Sequence, residues 1–266
     1  MLTPASFFDL SASPHAPLFG SGPVWEAIRG LKSYMDGALY PTCLAAIPRD
    51  QPLAETLILH QGEIFSAKGL TLTLDDATKG RLAVWRNGQA LEGASVVMAG
   101  AILSGEKIAI GGGVFIEAGA LIKSPTIIDD WTEIRQGAYL RGYCLVGKRC
   151  VVGHVTEVKH SIFLDDAKAG HFAYLGDSIL GQAVNLGAGT KLANLRFAGG
   201  EITIRTPTGN VGTGLKKLGA ILADGVQTGC NSVTNPGTLF GKRTHLMPNT
   251  TAPSGYHPPN SFIKGK

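Results

Sequence analysis

The sequence has 266 residues, enough for one large domain or two small ones, and its formal net charge of +4 is too small to indicate nucleic-acid binding by itself. It contains 36 glycines but only 7% aromatic residues, a composition typical of many tight turns around a narrow core of small side chains. The chain does not open with a basic segment followed by an apolar run, and no apolar run reaches membrane length. We therefore expect a cytoplasmic protein with neither a membrane nor a nucleic acid as partner.

Residues 1–95 are predicted to form a small α+β cap over one end of the repeat that follows. Residues 1–20 are interrupted by proline and serine and are expected to be extended, whereas Pro23 and the apolar spacing up to Met35 predict one amphipathic helix. Three stretches that alternate like strands and a turn follow at 56–60, 70–74, 81–85 and 86–89. A cap is expected because the open end of a β-helix would present unpaired backbone groups.

A repeat of six residues organises the chain from about residue 96 to residue 252. Ten positions six apart are all branched aliphatics: Ile110, Ile116, Ile122, Ile128, Ile134, Leu140, Val146, Val152, Val158 and Leu164. A helix repeats every 3.6 residues and a strand every 2, so neither requires this period. A three-sided prism does, because three short strands and their corners make one coil of 18 residues with each aliphatic side chain pointing inward. The pattern predicts a parallel β-helix of hexapeptide repeats.

The repeat is interrupted twice, after Leu164 and through residues 195–217, and it resumes at Leu180 and Leu222. The second interruption is rich in glycine and threonine and contains a possible hairpin. Residues 253–266 form a proline-rich tail that is expected to be irregular. Interruptions of a repeat map to loops on one face, which is often the binding face.

The four cysteines are Cys43, Cys144, Cys150 and Cys230, and they form no CxxC pair. Cys144 and Cys150 fall on the small inward positions of the repeat, so we expect them to be buried apolar side chains. This argues against a disulfide and against a metal site, and no metal is expected.

Lys123, Arg141 and Lys159 each follow an inward aliphatic residue and are spaced by 18. They are therefore predicted to stack on one face at a strand spacing of ~4.8 Å. Like charges at that distance repel unless an anion lies between them, which favours a site for phosphate or carboxylate. The alternative is three long side chains extending into water, and the spacing alone leaves both open.

His171 lies in the first interruption, and histidine is the side chain best suited to proton transfer near neutral pH. A single histidine is more often a structural hydrogen-bonding residue. A zinc site of the γ-class carbonic anhydrase type would require His154, His160 and His171 to converge, and their spacing does not match that family.

Four motifs occur in succession: Glu157-Val-Lys-His-Ser, Lys168-Ala-Gly-His-Phe-Ala-Tyr-Leu-Gly-Asp177, Asn185-Leu-Gly-Ala-Gly-Thr190 and Asn194. In content and spacing they resemble the acetyltransferase half of bacterial bifunctional N-acetylglucosamine-1-phosphate uridyltransferases. The likeness is specific over about 55 residues from Arg141 and extends more loosely, across an insertion, to about residue 250. Residues 1–95 do not match, and the family's glycine-rich nucleotidyltransferase signature is missing.

The resemblance implies a left-handed parallel β-helix that assembles as a homotrimer with active sites between subunits. It implies an acetyl-CoA-dependent N-acetyltransferase of UDP-N-acetylglucosamine biosynthesis that acts on glucosamine-1-phosphate or a similar aminosugar-1-phosphate. His171 falls on the family's general base. The positions that match its sugar-phosphate-binding residues are Arg141, Lys159, Tyr174, Asn185 and Lys217, and those on the acetyl-donor side are Asn194 and Cys230.

Three residues depart from the family pattern. Leu195 stands where the family has a tyrosine, Pro248 replaces a small residue near the coenzyme, and Cys230 replaces a serine that helps to hold the thioester carbonyl. A thiol is a weaker donor than a hydroxyl, so stabilisation of an oxyanion is expected to be poorer. These changes leave open a non-catalytic trimeric module that binds a sugar phosphate or a nucleotide sugar. They also leave open whether a separate nucleotidyltransferase works beside it. The sugar, the acyl group, the pathway and the role of residues 1–95 are not fixed by the sequence.

Overall fold

Three sheets form the sides of a prism in a computed structural model that describes residues 2–265. Successive strands along the repeat pass from one face to the next, and each pairs in parallel with the strand one coil later. The prism has about nine turns. The predicted fold class, a left-handed parallel β-helix with a small α+β N-terminal cap, is confirmed.

The strands divide among the three faces and two small sheets. The first face contains Leu57–His60, Glu63–Ser66, Ser95–Val97, Phe115–Ile116, Glu133–Ile134, Val151–His154, Lys168–His171, Asn185–Leu186, Gln227–Thr228, His245–Leu246 and Phe262–Ile263. The second contains Ile102–Ser104, Leu121–Lys123, Tyr139–Leu140, Glu157–Lys159, Tyr174–Gly176, Lys191–Leu192, Val233–Thr234 and Thr251–Ala252. The third contains Ile108–Ile110, Thr126–Ile128, Cys144–Val146, Ser161–Phe163, Ile179–Leu180, Ala220–Leu222, Thr238–Phe240 and Gly255–His257. The small sheets are Thr71–Thr73 with Ala83–Arg86 and Gln89–Ala90, and the hairpin Thr203–Thr206 with Gly209–Gly212.

Helices occur in the N-terminal segment. The α-helices are α1 (Pro4–Phe7) and α2 (Glu26–Asp36), and short 3₁₀ helices span Ala16–Leu18, Thr42–Ala46 and Ala77–Lys79. Helix α2 is the amphipathic helix predicted after Pro23, and it buries Ile28, Leu31 and Met35 on one side. None of the helices within residues 2–265 has the length and apolar character needed to cross a membrane.

The aliphatic positions of the repeat line the interior of the prism, as predicted. On the second face Ile122, Leu140 and Val158 pair in register across consecutive coils, and all three side chains are fully buried. Cys144 and Cys150 are also fully buried, and burial raises the pKa of the Cys144 thiol to about 12. They therefore act as small apolar core residues.

The first interruption lies earlier than predicted. Val158 pairs with Leu175 and Cys144 with Ser161, so this coil has 17 residues in place of 18. The corner at His160 is one residue shorter than the corner below it, at Gly142 and Tyr143. As a result Phe163, not Leu164, enters the prism core, and Leu164 packs outside the third face. The assignment of Leu164 to the inward set was wrong.

The later predictions for the repeat fare differently. Leu180, Leu186, Leu192 and Leu222 resume the buried set, and the predicted hairpin forms within the second interruption. The tail predicted to be irregular instead carries the strands Gly255–His257 and Phe262–Ile263, which extend the third and first faces. Its prolines do not interrupt the ladders because they lie at corners, outside the paired residues.

The N-terminal segment covers both an end and a flank of the prism. Leu57–His60 extends the first face antiparallel to Ser95–Val97, and Leu44, Ile47 and Leu53 belong to the same buried cluster as the prism interior. This part closes the first coil, as expected of a cap. Residues 2–40 run instead along the third face.

Contacts along this flank reach from the first coils to the last. Lys107 is paired with Asp36 at 3.2 Å, and Phe7 packs against Tyr256 with ring centroids 6.1 Å apart. One apolar cluster joins α2 to the outward residues of the third face, which include Leu145, Ile162, Ile179, Ile221 and Leu239. The third face is therefore covered by the chain itself.

Candidate functional site

The three basic side chains spaced by 18 lie on the second face, as the repeat predicts. Lys123 belongs to the strand that pairs with the strand before Arg141, and the register Leu140 to Val158 places Lys159 beside Arg141. All three follow an inward residue at the end of a second-face strand, so they project from the same edge.

Carboxylates from the same side of the molecule neutralise this row of basic residues. Arg141 Nη1 lies 2.7 Å from Glu157 Oε1, and this hydrogen bond raises the pKa of Arg141. Lys159 Nζ lies 3.1 Å from Asp177 Oδ2, and Lys123 Nζ lies 5.6 Å from the centroid of the Tyr139 ring. The row therefore does not consist of free cations extending into water, and sequence reasoning missed both acidic partners.

Asp177 is the most connected polar residue of this group, and its residue surface is only 5% exposed. Its carboxylate also accepts hydrogen bonds from His160 Nδ1 at 2.8 Å and from Asn194 Nδ2 at 2.5 Å. Burial alone would raise the pKa of Asp177, but these two hydrogen bonds and the charge of Lys159 lower it. The group is an ionised carboxylate that fixes three neighbours.

Tyr174 joins this group through its hydroxyl, which donates to Asn194 Oδ1 at 3.3 Å. Burial and the nearby carboxylates of Glu157 and Asp177 raise the pKa of Tyr174, so the phenol stays protonated and able to donate. Of the residues assigned by resemblance, the second face thus brings together Arg141, Lys159, Tyr174 and Asn194.

Lys217 approaches the same group through the backbone. It is an exposed residue at the end of the second interruption, where Leu218 N donates to Asn194 O at 3.1 Å and Gly219 N donates to Asp177 O at 2.9 Å. The insertion therefore begins after Asn194 and returns beside it.

His171 lies at the corner between the first and second faces. It is exposed, and its ring stacks on that of His154 with centroids 5.7 Å apart. It lines a cleft of about 350 Å³ on the first face, together with Asn185 and Cys230. Both His171 and the Cys230 thiol are exposed, so a bound molecule can reach them.

The floor and the rim of this cleft include residues that sequence reasoning did not assign. Gly187 lies on the floor, where a Cβ would come within 2.6 Å of Cys230 N, so the two coils can approach only without a side chain. Lys168 and Asp76 are also lining residues. Lys168 could have been found from its place three residues before the histidine in the motif.

Asp76 comes from the N-terminal segment, which showed no functional signal in the sequence. It is held at the cleft because Ala77 N donates to the buried Glu133 Oε1 at 2.8 Å. Burial alone would raise the pKa of Asp76, but hydrogen bonds from Lys79 and Thr78 and the charges of Lys79 and Lys168 lower it to about 2. The cleft thus has an ionised carboxylate on one rim.

The predicted residues therefore fall into two groups on either side of one corner. The second-face group holds Arg141, Lys159, Tyr174 and Asn194, and the first-face cleft holds His171, Asn185 and Cys230. The histidine triad of the zinc hypothesis does not form, since His160 bonds to Asp177 while His154 stacks on His171. Among residues 2–265 there is no cluster of three His, Cys, Asp or Glu side chains able to hold a metal ion.

Comparison with known proteins finds the same kinship as the motifs. Residues 122–235 match the family model described as the GMPPB C-terminal domain. The chain is 34% identical over 149 residues to a bifunctional sugar-1-phosphate nucleotidylyltransferase/acetyltransferase from Sulfurisphaera tokodaii, covering 54% of this chain and 37% of that protein. It is 36% identical over 142 residues to the bifunctional protein GlmU from Methanocaldococcus jannaschii, covering 51% of this chain and 35% of the relative.

A longer and weaker match extends over most of the chain. The bifunctional protein GlmU from Cyanothece sp. is 28% identical over 232 residues, which is 85% of this chain and 46% of the relative. Among solved structures, a UDP-N-acetylglucosamine acyltransferase from Francisella novicida gives a TM-score of 0.38 at 13% identity over 58% of each chain. The predicted resemblance to the acetyltransferase half of these bifunctional proteins is confirmed. The chain spans about a third to a half of the length of the curated relatives that it matches.

Proposed function

We propose that this chain is an acyltransferase that moves the acetyl group of acetyl-CoA to the amine of an aminosugar-1-phosphate such as glucosamine-1-phosphate. The observation that carries the proposal is the exposed His171 in a polar cleft, one corner away from the row of basic residues at Arg141 and Lys159. Relatives named as sugar-1-phosphate nucleotidylyltransferase/acetyltransferases support the substrate class.

His171 would act as the general base. As the amine nitrogen attacks the thioester carbonyl, the imidazole takes the proton that the nitrogen must lose, and the C–S bond then breaks to release the coenzyme as a free thiol. The pKa of an imidazole lies close enough to neutrality for both steps of this proton transfer. The open side of the ring faces a cleft that a substrate can enter.

The phosphate would be bound by the second-face group. Arg141 offers a planar fork of donors that matches two phosphate oxygens, and Lys159 offers a compact charge beside it. Their carboxylate partners hold these side chains at the surface before substrate arrives, which lowers the entropic cost of binding. Tyr174, Asn185 and Lys217 would contact the sugar.

Asn194 and Cys230 would lie on the acyl-donor side. The exposed Cys230 thiol shares the cleft with His171, which is the position needed for a donor to the thioester oxygen. Because a thiol is a weaker donor than a hydroxyl, we expect Cys230→Ser to keep or increase the rate.

The two half-sites support assembly into a homotrimer. In one chain the phosphate-binding group and the His171 cleft face different sides of a corner, so a site that uses both is completed by a neighbouring copy. Val155 and Phe172, two exposed apolar residues, form that corner with residue surfaces 57% and 60% exposed.

The test is to mix the protein with acetyl-CoA and glucosamine-1-phosphate and to follow the release of free thiol. We expect His171→Ala to lower the rate by about 10²–10⁴. The matched control is His257→Ala, because His257 only bonds the Pro253 carbonyl in the last coil of the third face. Its rate should equal that of the wild type. If wild-type protein releases no more thiol than His171→Ala, the proposal is wrong for this substrate pair.

Calorimetry separates catalysis from the alternative of a non-catalytic binding module. An acyltransferase should bind acetyl-CoA and the sugar phosphate separately, with measurable heat for each. Binding of the sugar phosphate or of a nucleotide sugar, with no binding of the coenzyme, would favour the module.

A further inference from the structure

Asp177 connects residues from three consecutive coils. Its Oδ2 atom accepts from Lys159 Nζ at 3.1 Å and from Asn194 Nδ2 at 2.5 Å, while its Oδ1 atom accepts from His160 Nδ1 at 2.8 Å. Lys159 belongs to the phosphate-binding side of the proposed site and Asn194 to the acyl-donor side. One buried carboxylate therefore bonds to both sides.

We propose that Asp177 is a positioning residue that fixes Lys159 and Asn194 in a single arrangement, with His160 as its anchor. This inference rests on the proposed function for the roles of Lys159 and Asn194. It predicts that the binding of phosphorylated acceptor and the binding of acyl donor both depend on Asp177, although Asp177 touches neither.

The chemistry of the carboxylate decides how Asn194 is oriented. An ionised carboxylate can only accept, so Asn194 must turn its amide nitrogen toward Asp177 and its Oδ1 toward the Tyr174 hydroxyl. The second N–H of that nitrogen is then available for an acceptor such as the carbonyl oxygen of an acyl donor. A neutral or reversed partner would leave this orientation undetermined.

His160 keeps the carboxylate from rotating. With Oδ1 bonded to His160 and Oδ2 to the other two side chains, neither oxygen can turn toward solvent without breaking a bond. His160 and Asp177 both have left-handed backbone conformations, with φ of 48° and 47°, which non-glycine residues rarely adopt. Two consecutive corners thus accept an unfavourable conformation that brings these side chains together.

The backbone ties the pair to the insertion. Asp177 N donates to Lys159 O at 3.0 Å, and Gly219 N, at the end of the insertion, donates to Asp177 O at 2.9 Å. Asp177 is therefore fixed from both neighbouring coils, which is the condition for a side chain that must hold others in place.

The experiment measures the dissociation constants for glucosamine-1-phosphate and for acetyl-CoA separately, by calorimetry on the full chain. We expect Asp177→Asn to raise both constants by about tenfold, because hydrogen bonds to a charged group are lost on both sides. In a Lys159→Met background the effect on the sugar phosphate should disappear, while the effect on acetyl-CoA should remain. The matched control is Asp166→Asn, since Asp166 also pairs with a cation, Arg149, but at the opposite corner. Both constants should stay at their wild-type values.

A second pair of variants avoids the buried charge in case Asp177→Asn does not fold. The amide nitrogen of His160→Asn can take the place of Nδ1 and should preserve both constants, whereas His160→Phe should raise both. A gain in sugar-phosphate affinity in Asp177→Asn would overturn the inference, since Asp177 would then only compete with the phosphate for Lys159. Unchanged constants in Asp177→Asn or His160→Phe would also overturn it while leaving the proposed function intact. Wild-type protein that binds neither ligand would overturn both.

Discussion

Single residues on the second face act through partners that arrive from the next coil. Arg141 meets Glu157 and Lys159 meets Asp177, so each cation is neutral as a pair before any ligand binds. Surface pairs of this kind add little stability because water screens them. Their value lies in holding a guanidinium and an ammonium side by side at the mouth of a site.

Arg141→Gln should therefore weaken recognition of the phosphate and leave the chemical step nearly unchanged. The glutamine keeps most of the length but loses the charge and the fork of donors, so we expect KM for glucosamine-1-phosphate to rise by about tenfold with little change in kcat. Steady-state kinetics with glucosamine-1-phosphate and with unphosphorylated glucosamine measures this. The variant should not discriminate against glucosamine.

Lys123→Gln is the comparison for this experiment. Lys123 stacks over Tyr139 one coil before Arg141, outside the residues assigned to the phosphate. Its KM should remain at the wild-type value. An equal rise in KM for Arg141→Gln with both sugars would show that Arg141 does not read the phosphate.

The period of 18 was enough to place Lys123, Arg141 and Lys159 on one edge, because that edge precedes the first shortened corner. It did not pair Lys159 with Asp177, because 18 residues separate them across a coil of 17, and Asp177 thus lies at the next corner. The Asp76 rim was equally hidden, since it depends on how a separate segment folds onto the first face. Spacing predicts neighbours only while the coil length is constant.

Corners and strands are the elements that decide which residues reach the site. The repeat of aliphatic residues predicted the strands well, since an inward position must be apolar wherever three sheets enclose a core. The sequence could not locate the shortened corner, because Phe163 and Leu164 are both apolar and either fits the pattern. Only the pairing of Cys144 with Ser161 settles that Phe163 is the inward residue.

Phe163→Ala tests this register. The aromatic ring is fully buried within the prism, so its removal leaves a cavity between coils and should lower the free energy of unfolding by about 3–5 kcal/mol. Chemical denaturation followed by circular dichroism measures the change. Leu195→Ala, at a residue that is 56% exposed, is the control and should change stability by less than about 0.5 kcal/mol. Equal losses for the two variants would contradict the register.

At the scale of the whole molecule, the N-terminal segment decides which surfaces remain free. Helix α2 and its neighbours cover the third face, and the loop at Asp76 overhangs part of the first. Sequence patterns predicted the helix because its apolar side is evident, but they could not say against which surface it packs. The corner between the first and second faces stays open, and it carries Val155 and Phe172 beside His171.

This open corner is where we expect copies of the chain to meet. Phe172 has a left-handed backbone with φ of 53°, and it exposes an aromatic ring next to the proposed base. Both features are costly in an isolated chain, and a neighbouring subunit that covers the ring would offset the second. Phe172→Asn separates the two effects, because asparagine tolerates the left-handed conformation but provides no apolar surface.

We expect Phe172→Asn to fold normally, to sediment as a smaller species than the wild type and to lose acetyl transfer together with assembly. Analytical ultracentrifugation across a range of concentrations measures the first two, and the thiol-release assay measures the third. Leu39→Asn, at a residue that is 97% exposed beyond the end of α2, should behave like the wild type in all three. A Phe172→Asn protein that keeps the wild-type size would place the contact between subunits elsewhere. The site would then have to be completed within one chain, by a rearrangement that brings the two sides of the corner together.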